Sequence, residues 1–317
     1  MNNRTDDSNF GFDFGAIMES HLEHIARAVD RVKSIALSLE TMKLIDLTMP
    51  IWEGAGYGEI LPFTNSSVQF TEYMFYDQHG LRMTSMKLDG ETGSPFMVPH
   101  QRMPFDATPL QPNPKFSWTL DEIPLERLIL RDTSILDVRA TEGHEITPAE
   151  MEDAIKRADY RQGDEVLVRT GWGTRQKAYE LGIDYYKRTP SIHYDAASVL
   201  ATKMDEMGSS IFMTDCGLVN PPSVQGNNWF RGDTPLVPLP KPWPSAEARE
   251  RALDFGAHKH GSSQPSSYGA LIRKAMAGCK CLVDCDQISK NRVKMIILPL
   301  LIKKGGASPC RFVAVEE

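Results

Sequence analysis

The chain has few cysteines and no long apolar run, and each scarcity excludes a class of protein. The five cysteines are an odd number, and the opening residues "MNNRTDDSNFGFDF" contain neither the basic nor the apolar region of a signal peptide. We therefore expect reduced, buried thiols rather than a disulfide framework. No apolar stretch approaches the roughly 20 residues that cross a bilayer. These features predict a cytoplasmic protein with no membrane partner.

The sequence also lacks any dense stretch of lysine and arginine. It has 35 Lys and Arg against 42 Asp and Glu, a net charge of -7, whereas binding to nucleic acid needs a basic face. No G-x-G-x-x-G follows the first predicted strand, so a dinucleotide-binding fold is not supported. The spacing of Cys279, Cys281 and Cys285 matches no common zinc pattern. We expect no nucleic-acid partner and a small-molecule substrate.

What the chain does contain is material for one large α/β domain. Its 317 residues are 41% hydrophobic, enough to bury a large core. Within residues 1–42, apolar side chains from Ile17 to Leu39 recur at spacings of three and four, which predicts an N-terminal extension with an amphipathic helix. That helix packs either on its own domain or on a neighbouring subunit. The remaining residues, 43–317, form the predicted main domain.

Strand and helix signals alternate along this main domain. "KLIDLTMPI" predicts an opening strand, and "SVQFTEYMFY" and "LRMTSMKL" predict a hairpin joined by "DQHG". Thr147 and Glu150 form a capping box that predicts a helix between the strands "SILDVRA" and "DEVLVRTGWG". Further along, "DAASVLATKMDEMG" predicts a helix ending at Gly208, and "YGALIRKAMAG" one ending at Gly278. The last predicted strands are "CKCLVDCDQI", "KMIILPLLIK" and "CRFVAVEE".

Six segments carry a resemblance to a known family. They are, in order, "LIDLTMPI", "ILDVRATEGHEITPAEME", "GDEVLVRTGWG", "FMTDCGLV", "CDQI" and "MIILPLLIKKGGASPCRFVAV". Over residues 43–317 the chain resembles the cyclase family, which includes bacterial kynurenine formamidases and isatin hydrolases. The resemblance implies an α/β protein with a swivelling β/β/α fold and a mixed sheet, a homodimer or homotetramer, and a metal-dependent hydrolase of amide bonds.

The family's first metal-binding motif is changed in this sequence. That motif, H-x-G-T-H-x-D-x-P-x-H, aligns with residues 91–101 in "GETGSPFMVPHQ". Gly93, Ser94 and Pro99 match its scaffold positions. The four ligand positions hold other residues, namely Glu91, Pro95, Met97 and Gln101. Proline has no side-chain ligand atom and methionine binds hard or borderline ions poorly.

The family's second pair of site residues is changed as well. Counting back from Asp286-Gln287-Ile288 places Tyr268 where the family has a histidine and Lys280 where it has a glutamate. Because all six positions differ, the resemblance suggests replacement as a set. We interpret Glu91, Tyr268 and Lys280 as catalytic residues of an acid–base site that uses no metal and no other cofactor. The predicted reaction is hydrolysis of a small amide, or a lyase or isomerase step beside a carbonyl.

Other interpretations stay open at this stage. Lys280 and Glu91 also fit a plain salt bridge in a relative that only binds a ligand. An alternative metal site is conceivable from Glu91, Asp89 and His100, or from the "HKH" pair His258 and His260, in a metal-dependent hydrolase of the kynurenine formamidase type. The residues predicted to bind substrate are Gln101, His100, Trp229, Phe230 and Arg231, the last three because they lie in a long Pro-rich loop.

Overall fold

A mixed eight-stranded sheet is the central element of the part of the chain that the structure, a computed structural model, describes. That part comprises residues 42–53, 68–101, 118–182, 184–220, 267–274 and 276–316. Its strands are β1 (Lys43–Asp46), β2 (Gln69–Met74), β3 (Met83–Lys87), β4 (Pro95–Met97), β5 (Arg131–Asp137), β6 (Glu145–Ile146), β7 (Glu165–Arg169), β8 (Ser191–Ile192), β9 (Ile211–Thr214), β10 (Ala277–Cys279), β11 (Arg292–Pro299) and β12 (Ala307–Glu316).

The large sheet closes on itself. Its strand order is β1-β12-β11-β5-β7-β9-β10-β4, and β4 also pairs with β12. Seven strands therefore form a barrel-like ring, and β1 lies outside it on β12. Strands β5, β7, β9 and β10 run parallel, whereas β4, β11 and β12 pair antiparallel with their neighbours. Two small sheets, β2–β3 and β6–β8, lie apart from it.

Helices of the described residues are short, and most connect strands of the ring. They are α1 (Tyr76–His79), α2 (Pro148–Arg157), α3 (Arg175–Leu181), α4 (Asp184–Lys187), α5 (Tyr194–Met207) and α6 (Ser267–Arg273). The predicted capping box of α2 is present, because Thr147 Oγ1 accepts from Glu150 N and the Glu150 carboxylate accepts from Thr147 N. Gly208 caps the carboxyl end of α5, as predicted.

The β strands follow the sequence pattern closely. Every residue of β7 is buried, as is typical of a parallel strand covered on both faces. The predicted hairpin of β2 and β3 and the predicted strand β9 are also confirmed. All five cysteines are buried and free, which confirms the expectation of core thiols.

Two predicted elements have wrong bounds. The last helix ends at Arg273 rather than at Gly278, which lies in β10. Gly278 pairs with Met97 of β4 and with Phe212 of β9, so Ala277 and Gly278 belong to the sheet rather than to the helix. The strand predicted from Cys279 onward also stops early, because Cys281 and Asp284 have positive φ angles of 59° and 57°.

Some predictions concern other parts of the chain. The amphipathic helix between residues 17 and 39 lies outside the described residues, and so does the Pro-rich loop from residue 221 onward. Among the described residues, none of the helices combines the length and apolar character needed to cross a membrane.

Candidate active site

The two segments that flank β4 meet the end of β10, which is distant from them in sequence. Glu91 lies in the loop between β3 and β4, Gln101 ends a 3-10 turn directly after β4, and Lys280 is the first residue after β10. Because β4 pairs antiparallel with β10, the two segments that flank β4 lie close to β10. Closure of the barrel thus brings these three predicted site residues together.

Their side chains form a hydrogen-bonded chain centred on the Glu91 carboxylate. Lys280 Nζ lies 2.6 Å from Glu91 Oε2, and Gln101 Nε2 donates to Glu91 Oε1 at 2.6 Å. The Lys280 side chain is 9% exposed and that of Glu91 is 22% exposed. Ion pairs this poorly solvated interact strongly, because little water screens the charges. The carboxylate is therefore held at both oxygens in one orientation.

The loop that carries Glu91 is fixed by its own polar groups. Asp89 Oδ1 accepts from Glu91 N at 2.8 Å. Ser94 Oγ accepts from Met49 N at 2.8 Å and donates to Cys281 O at 2.7 Å. Gly93 has a φ of 68°, a backbone conformation that favours glycine. Ser94 therefore ties the loop to the residue next to Lys280.

The remaining family positions lie on the same face of the sheet. Met97 pairs with Gly278 and Phe96 pairs with Cys279, so Pro95 and Lys280 are the next residues on their two chains. Because alternate residues of a strand point to the same side, Pro95, Met97, Gly278 and Lys280 share one face. Phe96 and Cys279 between them point into a separate core cluster. The strand pairing thus places three of the replaced family positions, Pro95, Met97 and Lys280, close together on one face.

Tyr268 covers this face from helix α6. The ring is 4% exposed and lies over Gly278, where a Cβ atom would come within 2.7 Å of Tyr268 Cε2 and 3.1 Å of its hydroxyl oxygen. Asn220 Oδ1 accepts from Tyr268 N at 3.1 Å, and Ser267 Oγ donates to Ile192 O at 2.6 Å, so the start of α6 is fixed. Since Gly278 and Lys280 share a face, the Tyr268 ring lies on the Lys280 side of the sheet.

We expect Gly278→Ala to displace Tyr268. A methyl group at 2.7 Å from a ring carbon overlaps it, and because Tyr268 is buried, either the ring or β10 must shift within the core. Destabilisation of about 1–3 kcal/mol is expected, with a lower rate of any reaction that uses Tyr268. Denaturant unfolding and turnover of Gly278→Ala test this. Gly278 is not among the described glycines with a positive φ, so the added methyl group acts through packing and not through backbone strain. Unchanged stability in Gly278→Ala would contradict the packing argument.

The residues of this face do not fit a divalent metal ion. Glu91 is the one carboxylate among the six replaced positions, and the Lys280 ammonium lies 2.6 Å from it, where it repels a second cation. Met97 is buried and offers a soft thioether, and Pro95 offers no ligand atom. Among the described residues, no three His, Cys, Asp or Glu side chains are grouped so that they could hold a metal.

Of the other predicted site residues, the structure describes the backbone position of His100. His100 lies in the 3-10 turn Pro99–Gln101, next to Gln101. Trp229, Phe230, Arg231, His258 and His260 lie outside the described residues. Sequence reasoning missed the role of Asn220 in holding Tyr268, since nothing local marks a residue 48 positions away.

Comparisons with known proteins agree with this architecture. Isatin hydrolase A from Ralstonia solanacearum is 18% identical with a TM-score of 0.62, over 90% of this chain and 97% of that chain. Isatin hydrolase A from Labrenzia aggregata, solved with benzyl benzoate, is 19% identical with a TM-score of 0.60, over 91% and 98%. A protein from Bacillus stearothermophilus, described as a predicted metal-dependent hydrolase, is 17% identical with a TM-score of 0.54, over 87% of this chain and 100% of that chain.

At these identities the solved structures establish the fold. No curated protein sequence matches the chain significantly. The family model Cyclase matches residues 45–216, more than half of the chain. The match spans β4 and its preceding loop, and the solved relatives extend the likeness over the remaining strands. The chain belongs to the cyclase family.

Proposed function

We propose that the protein is an enzyme that acts on a small amide or carbonyl compound through Lys280, Glu91 and Tyr268, without a bound metal ion. The observation that carries the proposal is the 2.6 Å contact between Lys280 Nζ and Glu91 Oε2 at positions where the family resemblance implies metal ligands. A lysine ammonium supplies a fixed positive charge of the kind that a metal ion supplies to a carbonyl oxygen.

For hydrolysis, each group has a defined task. The Lys280 ammonium is a cationic N–H donor, and it stabilises negative charge on the carbonyl oxygen. Glu91 accepts a proton from the attacking water as the new C–O bond forms. Tyr268 donates a proton to the leaving nitrogen as the C–N bond breaks. The same groups serve a lyase or isomerase if Glu91 instead removes a proton from the carbon next to the carbonyl.

The solved relatives support the hydrolase version of the proposal. Two of them are isatin hydrolases, so isatin is a reasonable first probe for this chain. A second candidate function is ligand binding without catalysis. It is favoured by the same buried ion pair, because such pairs often have a structural role alone.

Metal content and chelation test the proposal. Protein purified without added metal or chelator is analysed by elemental mass spectrometry, and turnover of isatin, formanilides and simple lactones is measured with and without EDTA. We expect substoichiometric metal and turnover that EDTA leaves unchanged. Stoichiometric zinc or manganese with EDTA-sensitive turnover would replace the proposal by a metal-dependent hydrolase. Saturable binding of these compounds with no turnover would favour the binding function.

A further inference from the structure

The carboxamide of Gln101 has a fixed orientation. One of its two polar atoms lies 2.6 Å from Glu91 Oε1. A carboxylate that also binds the Lys280 ammonium is an acceptor, so the neighbouring atom must be the N–H donor, Nε2. The amide oxygen, Oε1, therefore points away from Glu91 on the other side of the carboxamide.

That oxygen is buried and has no hydrogen-bond donor among the residues that the structure describes. A buried acceptor without a donor is unfavourable, and native proteins retain few of them. Gln101 as a whole is partly exposed, so a ligand has a short path to it. An acceptor left open beside the Glu91–Lys280 pair indicates a position for an N–H or O–H group.

Donor and acceptor positions are therefore paired at this site. The Lys280 ammonium suits a carbonyl oxygen, and Gln101 Oε1 suits a donor next to that carbonyl. A lactam or a secondary amide presents both on one edge, as N–H and C=O. A lactone or ester has an oxygen in place of the N–H, and its lone pairs would face Gln101 Oε1.

We propose that Gln101 determines specificity, and that its Oε1 accepts a hydrogen bond from the N–H of a lactam or secondary amide whose carbonyl oxygen is bound by Lys280. The inference rests on the proposed function for the position of the carbonyl group. It assigns a separate role to Gln101, which is recognition of the nitrogen atom that distinguishes an amide from an ester.

The test compares two ligands of nearly equal shape, 2-oxindole and 2-coumaranone, which differ in an N–H replaced by oxygen. Their dissociation constants are measured by calorimetry. We expect the wild-type protein to bind 2-oxindole at least roughly tenfold more tightly, the effect of one hydrogen bond to a buried acceptor. Equal binding of the two compounds, or no binding of either, overturns the inference. This comparison uses the wild-type protein alone and needs no variant.

Gln101→Met then shows whether Gln101 causes the preference. We expect the ratio of the two dissociation constants to fall to near one. Gln176→Met is the matched control, because Gln176 Nε2 donates to Glu180 Oε1 at 2.7 Å on an exposed helix surface, and the variant should keep the preference. A preference that survives in Gln101→Met contradicts the assignment. Turnover is measured separately. Tighter binding of 2-oxindole without turnover supports the role of Gln101 but contradicts the proposed catalysis. Turnover without tighter binding of 2-oxindole supports the proposed catalysis but contradicts the role of Gln101.

Discussion

Replacement of Lys280 by methionine is expected to lower kcat/KM by roughly 10²- to 10³-fold, the loss seen when a preorganised group that stabilises an oxyanion is removed. Methionine keeps most of the side-chain volume but has no charge and no donor. Lys280 is 7% exposed, so water cannot readily replace the ammonium. The measurement is the steady-state rate with the amide or lactam turned over fastest by the wild-type protein.

The loss of activity in Lys280→Met must be distinguished from a loss of folding stability. Removing one partner of a buried ion pair leaves the other charge uncompensated, here that of Glu91, at a cost of about 3–5 kcal/mol. The double variant Lys280→Met, Glu91→Gln removes that charge and should regain stability without regaining activity. Lys274→Met is the control, since Lys274 Nζ lies 3.1 Å from Asp205 Oδ2 and the pair is not part of the candidate site. Activity within tenfold of wild type in a folded Lys280→Met would refute the catalytic role.

Replacement of Asp215 by alanine is expected to destabilise the protein by about 3 kcal/mol or more. Asp215 follows β9 and has no exposed surface. Its Oδ1 accepts from Thr170 N and Thr170 Oγ1, both at 2.8 Å, and its Oδ2 accepts from Gly171 N at 2.9 Å. Burial raises the pKa of Asp215 overall, although these hydrogen bonds oppose the shift. Alanine leaves several buried donors without an acceptor, and each costs about 1–3 kcal/mol.

Chemical denaturation gives the stability change directly. Asp195→Ala is the control because the Asp195 side chain is 66% exposed, and surface changes of this kind usually stay within about 0.5 kcal/mol. Hydrogen exchange at the Thr170 and Gly171 amides should accelerate only in Asp215→Ala. A loss of less than about 1 kcal/mol in that variant would mean that water or a backbone rearrangement satisfies the donors.

Local patterns were sufficient to predict most regular elements. The capping box of α2 and the apolar run of β7 act within a few residues, so the sequence reveals them directly. Strands β4 and β10 have three residues each and form because of their partners. The end of α6 was misplaced for this reason, since the pairing of Gly278 with Met97 and Phe212 is invisible in the local sequence.

The candidate site was predicted only in part. The family resemblance selected Glu91, Gln101 and Lys280, and the structure places them in one hydrogen-bonded group. The direction of the Gln101 carboxamide and the link from Ser94 to Cys281 depend on three-dimensional distances. Residue types and spacing carry no information about such orientations. The functional roles of these residues remain predictions that the variants above test.

The closure of the barrel by β4 also determines when the site can appear during folding. Met97 of β4 pairs with Gly278 and with Ala307, and Glu91 lies 189 positions before Lys280. Contacts of such long sequence separation form slowly, because the intervening chain must first be ordered. A nascent chain has no β12 until residues 307–316 leave the ribosome, and until then β4 and β11 present open edges that favour aggregation. The hydrogen-bonded group of Glu91, Gln101 and Lys280 is therefore completed late in folding, after its long-range strand pairs have formed.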